Sequence, residues 1–321
     1  MPVTQAAREP RLGREDMRRR TIRKLNYAGR CWWCGAPASS AEHKYKKSDL
    51  VRDFGRGPYT GQSTLNWNDL TSGAQRPVQG PNSGRVKFGK SMCARCNNER
   101  SRPFDLAYAQ FSDFIGANQP ELLRRPIIAL ADVYGPEWPS RRDLLLRYYT
   151  KHVCCRLADE GFEVPADAIA FLNGGPPPTC MAFDFTVFGE WVVITEAMVE
   201  RDGHFGFVGM SELWTSQSAR TRVVEALEGS LFYRWLHFHW LYDPSLRGFE
   251  DPFASGTLAP AIKYAGSGPE EADQLGVVIR AFSELETETG CDADQITNDP
   301  ALRARLEQLV LSRTGRGLPN P

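Results

Sequence analysis

The spacing of apolar residues changes along the chain, and this change predicts two regions of different structure. Apolar residues recur at helical intervals over 104–115 and 120–134, and most regularly over 138–161. Each of these stretches is expected to form a helix. The stretch before residue 103 lacks such periodicity and is rich in Gly, Ser, Asn and Cys. So few large aliphatic residues cannot build a stable core in a small domain. That stretch is therefore expected to need a covalent or metal cross-link, referred to here as a staple.

The second part of the chain also contains strand patterns. Residues 181–211 are rich in Phe, Val, Ile and Trp, and an Asp-Gly turn signal falls among them. A further aromatic strand is expected over 231–242, and a terminal helix near 299–313. Together with the predicted helices, these patterns indicate that residues 106–321 form a mixed α+β domain. The residue pattern of this domain does not by itself indicate a reaction or a ligand.

The first hundred residues divide by composition into distinct segments. Residues 1–28 carry an Arg-rich run and are expected to form a basic N-terminal arm that contacts phosphates. Residues 53–84 form a Gly- and Pro-rich loop insertion, which is long enough to be functional or to become ordered on a ligand. A short strand over 86–90 leads into Cys93. We place the N-terminal domain itself at 29–105.

The charged residues, like the apolar ones, are distributed differently in the two parts of the chain. The 321-residue chain carries 39 basic and 39 acidic side chains, so its formal net charge is zero. Residues 1–103 nevertheless hold 21 Lys/Arg against 8 Asp/Glu, whereas residues 104–321 hold 18 against 31. A basic module joined to an acidic remainder is typical of nucleic-acid-binding proteins. We expect the acidic C-terminal domain to form a homo-oligomer, dock a protein partner or mask the basic surface.

Membrane spans and secretory signals are the sequence features that would indicate where in the cell the protein lies. No apolar run approaches the roughly 20 residues that a bilayer span requires. The Arg-rich N-terminus is not followed by the apolar stretch of a secretory signal. The sequence therefore predicts a cytoplasmic protein without a membrane partner, and in that compartment disulfides are not expected.

Four of the eight cysteines form two CxxC pairs, Cys31 with Cys34 and Cys93 with Cys96. Each CxxC turn places two thiolates about one tetrahedral edge apart, so two such pairs complete a four-thiolate zinc site. Gly35 follows the first pair and suits the positive φ of a tight knuckle turn. The alternatives are two disulfides or a thioredoxin-type redox pair, but no βαβ pattern surrounds either motif. We predict a structural Zn²⁺ ion bound by these four cysteines.

The residues around these pairs resemble a known family. A Glu42-His43 pair lies between the two CxxC motifs, and Asn97 directly follows the second. This order resembles the zinc-stapled HNH endonucleases of the His-Me finger, or ββα-metal, group over about residues 28–105. The resemblance implies a treble-clef-like zinc site that holds a β-hairpin against a helix. The expected fold class is therefore α+β, with a small zinc-stapled ββα-metal domain followed by a larger mixed α+β domain.

The resemblance also implies roles for individual residues. His43 would be the general base, and Glu42 and Asn97 would hold a catalytic Mg²⁺ or Mn²⁺ ion. A histidine, with its ordinary pKa of about 6.5, suits the activation of water near neutral pH. Carboxylate and amide oxygens suit a hard divalent cation. The substrate would be DNA, with RNA not excluded, and the side chains expected to contact its phosphates are Lys44, Lys46, Lys47 and Arg100.

The sequence departs from the family pattern at several positions. The family commonly has an asparagine about nine residues before the helix asparagine; here Phe88 stands there, so a backbone carbonyl or Asn82 would orient the base. Glu replaces Asp at position 42, and Lys46 stands where a proline is often found. If a second acid is needed, Asp105, two turns along the helix, would be the candidate. These departures keep open a second hypothesis, a non-catalytic zinc module that binds nucleic acid. By resemblance alone, the biological setting would be a mobile element, a phage or a defence system.

Overall fold

The computed structural model of the chain describes residues 21–59, 66–68, 75–202, 206–219, 222–264 and 269–315. Within them the α-helices are α1 (Lys47–Phe54), α2 (Arg102–Ala117), α3 (Gln119–Arg124), α4 (Leu130–Tyr134), α5 (Trp138–Asp159), α6 (Ala166–Leu172), α7 (Gly189–Asp202), α8 (Pro269–Thr289), α9 (Ala293–Asn298) and α10 (Pro300–Thr314). The β-strands are β1 (Ser40–His43), β2 (Asn66–Asn68), β3 (Gln75–Pro77), β4 (Lys87–Met92), β5 (Ile128–Ala129), β6 (Met181–Phe188), β7 (Val208–Met210), β8 (Trp214–Gln217), β9 (Val224–Tyr233), β10 (Leu236–Tyr242), β11 (Thr257–Leu258) and β12 (Ala261–Lys263). The predicted mixed α and β class is therefore confirmed.

Parts of the predicted N-terminal segments lie outside the described residues. These parts are residues 1–20 of the basic arm and residues 60–65 and 69–74 of the loop insertion. The remainder of the insertion holds the end of α1, the short β2–β3 pair and a 3₁₀ turn at Gly84–Val86. In the described part of the chain, no helix combines the length and the apolar character that crossing a bilayer requires.

A two-stranded hairpin carries the central residues of the N-terminal region. β1 pairs antiparallel with β4, so that Ser40 lies opposite Met92 and His43 lies opposite Lys87. After β4 the chain passes through a π-helical turn, Arg95–Arg100, directly into α2. The order along the chain is thus strand, strand and helix, with the Gly- and Pro-rich insertion between the two strands.

α2 and α5 pack against each other and link the hairpin to the rest of the fold. Pro103 lies in the first turn of α2, where a proline costs nothing because its missing N–H would have no helical partner. The buried apolar side chains of α2 recur at helical intervals and are Phe104, Ala107, Tyr108, Phe111 and Ile115. α5 is buried along most of its second half, so this helix lies inside the protein and contacts both α2 and β4.

A six-stranded sheet forms the centre of the C-terminal part. Its strand order is β12-β6-β10-β9-β7, and β8 also pairs with β9. All pairs are antiparallel except β12 with β6. Phe185 of β6 and Phe238 of β10 pack their rings against Tyr149 of α5. α5 therefore contacts the sheet on one side and the β1–β4 hairpin on another.

One hydrophobic core extends through both predicted domains. Its buried side chains run from Ile22 and Trp33 to Leu258. The domain boundary expected at residue 105 falls inside α2. The N-terminal region that carries the four cysteines and the sheet therefore share a core, and no linker separates them at that position. A second, smaller cluster lies between α8, α9 and α10 around Leu285.

The strand prediction over 181–211 is wrong for its middle section. Residues 181–188 form β6 as expected, but the chain then turns into the helix α7. α7 lies very close to α8: a Cβ added at Gly276 would be 2.2 Å from Cγ1 of Val193. Helix packing thus overrides the strand preference of the β-branched residues in this stretch.

The predicted strand over 231–242 is a hairpin instead. β9 ends at Tyr233 and β10 begins at Leu236. Arg234, in the turn, has a φ of 55°, a left-handed conformation that glycine and asparagine adopt far more readily. Because neither residue type marks this turn, the sequence pattern did not reveal it.

The predicted helix over 120–134 is divided. α3 ends at Arg124, and α4 begins only at Leu130. Pro126 lies between them, and a proline both lacks the helical N–H donor and pushes the preceding residue toward extended backbone. Arg125 accordingly has a φ of −144°.

Candidate functional site

The four cysteines of the two CxxC motifs come together beside the β1–β4 hairpin. Cys31 and Cys34 lie in the turn before β1, and Cys93 and Cys96 follow β4. Their Sγ atoms all lie within 4.8 Å of one another, and those of Cys34 and Cys93 are 3.6 Å apart. A tetrahedral site with metal–sulfur bonds of 2.3 Å has edges of about 3.8 Å. The predicted cluster is therefore confirmed as a group that could hold a metal ion.

The first knuckle turn has the predicted backbone geometry. Gly35 has a φ of 77°, which a residue without a Cβ adopts readily. Its N–H donates to the carbonyl of Cys31 at 2.8 Å, and the N–H of Cys31 donates to the carbonyl of Ala36 at 2.7 Å. These two bonds close the turn so that both thiols of the first pair face the second pair.

In the second pair, hydrogen bonds favour the thiolate form of Cys93, whereas burial raises the pKa of Cys96. Burial works to raise the pKa of Cys93, but the backbone N–H of Cys96 and the neighbouring thiols lower it to about 7. That N–H lies 3.4 Å from the Cys93 sulfur. Nη1 of Arg100 also donates to the sulfur of Cys96 at 3.5 Å, and its guanidinium lies 4.7 Å from the ring centre of Trp33. Donors of this kind stabilise thiolate charge around a metal.

Asn97 lies where the π-helical turn meets β1. Its Nδ2 donates to Oγ of Ser40 at 2.8 Å. Its Oδ1 is buried and has no hydrogen-bond partner among the described residues. A buried acceptor without a partner costs about 1–3 kcal/mol, so this oxygen is available to a proton donor or a cation.

Glu42 faces a buried lysine. Nζ of Lys151, on α5, lies 3.3 Å from Oε1 of Glu42 and 2.9 Å from Oδ1 of Asp105. Nζ of Lys46 lies 2.9 Å from the same Asp105 oxygen. Burial works to lower the pKa of Lys151, but Glu42 and Asp105 together raise it above its ordinary value. Two lysines and two carboxylates thus form a charge-balanced cluster between β1, α2 and α5.

His43 is held by a backbone carbonyl, one of the two arrangements that the sequence left open. Its Nε2 lies 3.0 Å from the carbonyl oxygen of Pro81. Because a carbonyl can only accept, Nε2 carries the proton and Nδ1 carries the lone pair of the neutral ring. Burial, reinforced by the charge of Lys87, lowers the pKa of His43 to about 4. The ring is therefore neutral at pH 7, with Nδ1 able to accept a proton.

A cleft of about 470 Å³ adjoins Pro81, the residue that holds His43. The cleft is lined by mostly basic and polar residues, namely Lys46, Lys47, Ser48, Val51, Arg56, Pro81 and Asn82. The first turn of α1 is part of this lining and has no side-chain cap. The N–H groups of Asp49 and Leu50 donate to the Lys46 carbonyl, which leaves those of Lys47 and Ser48 to face an anion. With exposed Lys47 and Arg56 beside that turn, the cleft is suited to a phosphate group.

The four side chains predicted to contact phosphates have different surroundings. Lys47 is exposed and lines the cleft. Lys46 also lines the cleft, but its ammonium is paired with Asp105. Lys44 is partly buried, and Arg100 donates to the cysteine cluster. Of these four, Lys47 is the side chain best placed to meet a phosphate.

The three predicted catalytic residues contact different partners. Glu42 faces Lys151, Asn97 bonds Ser40, and His43 bonds the Pro81 carbonyl. In the part of the chain that the structure describes, the four cysteines are the one group of three or more Cys, His, Asp or Glu residues with ligand atoms all within 4.8 Å. Glu42 and His43 therefore belong to no preformed metal cluster of these residue types.

Sequence reasoning missed the part played by Lys151. The available signal was a single lysine in the buried half of the most regular predicted helix, because a buried ammonium requires a carboxylate partner. It also missed Arg56 and the Pro81 carbonyl, which belong to the stretch interpreted as a loop insertion. Every residue has a backbone carbonyl, so the sequence does not indicate which one accepts a hydrogen bond from a functional side chain.

Comparison of the chain with protein-family models, with curated proteins and with solved structures found no match.

Proposed function

We propose that the chain is a metal-dependent endonuclease of the HNH type, which hydrolyses DNA phosphodiester bonds with His43 as the general base. The observation that carries this proposal is the hydrogen bond from Nε2 of His43 to the Pro81 carbonyl. It fixes one tautomer, so that Nδ1 keeps the lone pair of a base, and Pro81 itself lines the cleft together with lysine and arginine side chains. The imidazole is neutral and oriented, as a general base must be near pH 7, and its lowered pKa makes it a weaker base than an exposed histidine.

In the proposed reaction, Nδ1 of His43 takes a proton from a water molecule while the water oxygen bonds to phosphorus. The bond between phosphorus and the 3′ oxygen breaks, and that oxygen takes a proton from solvent, which gives ends with a 5′-phosphate and a 3′-hydroxyl. Lys47, Arg56 and the first turn of α1 would hold the phosphates. RNA carries the same phosphates, so an RNA substrate belongs in the same assay.

Mg²⁺ or Mn²⁺ is the proposed catalytic ion, with Glu42 and Asn97 as its protein ligands. The donor set fits, because carboxylate and carboxamide oxygens are the ligands that these hard cations prefer. The buried Oδ1 of Asn97, which lacks a partner among the described residues, supports this role. The ion would stabilise the negative charge that develops on the leaving 3′ oxygen.

Zn²⁺ is the proposed ion of the cysteine cluster. Four thiolates form a closed tetrahedral set with no open position, which is typical of structural rather than catalytic zinc. The ion would tie the turn before β1 to the turn after β4. In this way it would fix the hairpin against the start of α2.

Plasmid cleavage tests the proposal. Purified protein is incubated with supercoiled DNA and Mg²⁺ or Mn²⁺, beside His43→Ala and a control, His239→Ala, whose histidine lies on β10 in the sheet. We expect nicking or cutting by the wild type and the control, and a loss of about 10²–10⁴-fold for His43→Ala, the usual contribution of a general base. Zinc content is measured for all three proteins. Equal cutting by His43→Ala would refute His43 as the base.

A second candidate function is a non-catalytic zinc module that binds nucleic acid. The contact between Glu42 and Lys151 favours it, because the carboxylate is already neutralised by an ammonium. If no protein cuts but all three shift labelled DNA at low salt, this candidate replaces the first. Self-association or partner docking through the acidic residues 106–321 stays a prediction.

A further inference from the structure

The cluster around Glu42 contains a cation that the chain itself supplies. Lys151 comes from α5, whereas Glu42 belongs to β1 and Asp105 to α2. Its Nζ lies within 3.3 Å of a carboxylate oxygen of each acid. The ammonium thus occupies space directly beside the carboxylate proposed to bind a divalent ion.

Lys151 is fixed in this position. Its side chain is only 1% exposed, and it lies in the buried second half of α5. Its Nζ is also 5.6 Å from the ring centre of Tyr148, one turn earlier on the same helix. A side chain enclosed in this way cannot swing into solvent when another cation approaches, so its charge stays beside Glu42.

We propose that Lys151 is a positioning residue that weakens Glu42 as a ligand for a free divalent ion and makes binding of that ion depend on a nucleic-acid phosphate. The ion would meet the positive charge of Lys151 as well as the negative charge of Glu42. A phosphate oxygen at the site supplies the negative charge that Lys151 cancels. Metal and nucleic acid therefore bind together rather than one after the other.

The size of the effect follows from electrostatics. Even in the dielectric of water, a unit charge about 5 Å from a divalent ion changes its affinity by roughly tenfold, and in a partly buried site the change is larger. Replacing Lys151 with an uncharged side chain of similar length should therefore strengthen ion binding at least tenfold without nucleic acid.

The test is Mn²⁺ binding to the full-length, zinc-loaded protein, measured from the electron paramagnetic resonance signal of free Mn²⁺. The proteins are the wild type, Lys151→Met, Lys151→Met combined with Glu42→Gln, and a charge control, Lys263→Met, on the exposed edge strand β12. We expect at least tenfold tighter binding by Lys151→Met and no change for Lys263→Met. The added Glu42→Gln change should remove the gain. Unchanged affinity of a folded, zinc-containing Lys151→Met protein would overturn the proposal.

A second measurement needs no change at position 151. The contribution of Glu42 to Mn²⁺ affinity is the ratio of the Mn²⁺ dissociation constant of Glu42→Gln to that of the wild type. We expect this ratio to rise about tenfold when a short DNA duplex is added, after subtraction of Mn²⁺ bound by the duplex alone. Equal values with and without the duplex would overturn the coupling.

This inference rests on the proposed role of Glu42 as a metal ligand, and the two can fail separately. If the wild type binds Mn²⁺ through Glu42 as tightly as Lys151→Met does, the inference fails and the proposed ligand role stands. If Glu42→Gln has no effect on Mn²⁺ binding in any background, with or without the duplex, both fail. The plasmid assay with His43→Ala then decides separately whether the nuclease proposal survives with other ligands.

Discussion

Arg234 and Asp53 form a buried ion pair that joins the turn between β9 and β10 to the end of α1. Nη2 of Arg234 lies 2.6 Å from Oδ1 of Asp53, with side-chain exposures of 4% and 0%. Arg234 also donates to the side chain of Gln119. Since Arg234 and Asp53 are 181 positions apart, the pair connects the N-terminal region directly to the sheet.

Breaking this pair should destabilise the whole protein. Asp53→Asn leaves the Arg234 charge buried without its counter-ion, which typically costs about 3–5 kcal/mol of unfolding free energy. Urea denaturation followed by circular dichroism measures the loss. The control is Glu200→Gln, which removes an exposed partner of Arg280 at 3.7 Å and should cost less than about 1 kcal/mol. Equal small losses in both variants would show that Asp53 and Arg234 are hydrated in solution.

Removal of one cysteine of the cluster should release its metal. Cys93→Ser is expected to abolish stoichiometric zinc and to lower the melting temperature, because a structural zinc site contributes folding free energy directly. Zinc is measured by elemental analysis and melting by scanning calorimetry. Cys291→Ser, which changes a free thiol outside the cluster, should keep both values. Full zinc retention by Cys93→Ser would contradict a four-thiolate site.

Lys47 and Arg100 should differ in their effect on DNA binding. Lys47→Ala removes an exposed charge from the cleft, so the slope of log affinity against log salt should fall by about 0.9, the value for one phosphate contact. Arg100→Ala should leave that slope unchanged and instead speed zinc loss to a chelator, because Arg100 donates to Cys96. Fluorescence anisotropy at several salt concentrations measures the slopes. A reduced slope for Arg100→Ala would restore it as a phosphate contact.

Buried histidines should make stability depend on pH. His237 is 3% exposed, neither ring nitrogen has a partner among the described residues, and burial lowers its pKa to about 3. Below pH 6.5 the unfolded chain binds a proton that the folded chain does not, so stability falls as pH decreases toward 3. Between pH 7.5 and 5 this one histidine should cost about 2 kcal/mol of unfolding free energy.

His237→Phe isolates that contribution. The ring lies between Phe188 and Phe232, with centroids 4.7 and 4.1 Å away, so phenylalanine suits the site. Urea denaturation at pH 7.5 and pH 5 should show a smaller pH-dependent loss for the variant by about 2 kcal/mol. An identical loss in both proteins would mean that His237 can be protonated inside the fold.

The sequence predicted features whose causes are local. The spacing of Cys31, Cys34, Cys93 and Cys96 specified the cluster, because two-residue gaps fix the separation of thiols. The periodicity of 138–161 specified α5, because a helix buries residues at fixed intervals. Features that depend on distant contacts were not predictable in this way. The partner of Glu42 is Lys151, and no local pattern in β1 indicates which helix will cover it.

The order in which the chain is synthesised gives the position of Lys151 a further consequence. A ribosome that has just added Cys96 has made all four thiols of the cluster, but not the helix that carries Lys151 or the turn that carries Arg234. A chain that ends there carries the four thiols that could hold a metal ion, whereas α2 and the α5 side chains that pack on it have still to be made. A chain cut short after Cys96 would hold all four thiols but would leave Glu42 without its ammonium partner, Lys151. The charge cluster around Glu42 can therefore form only after residue 151 has been added.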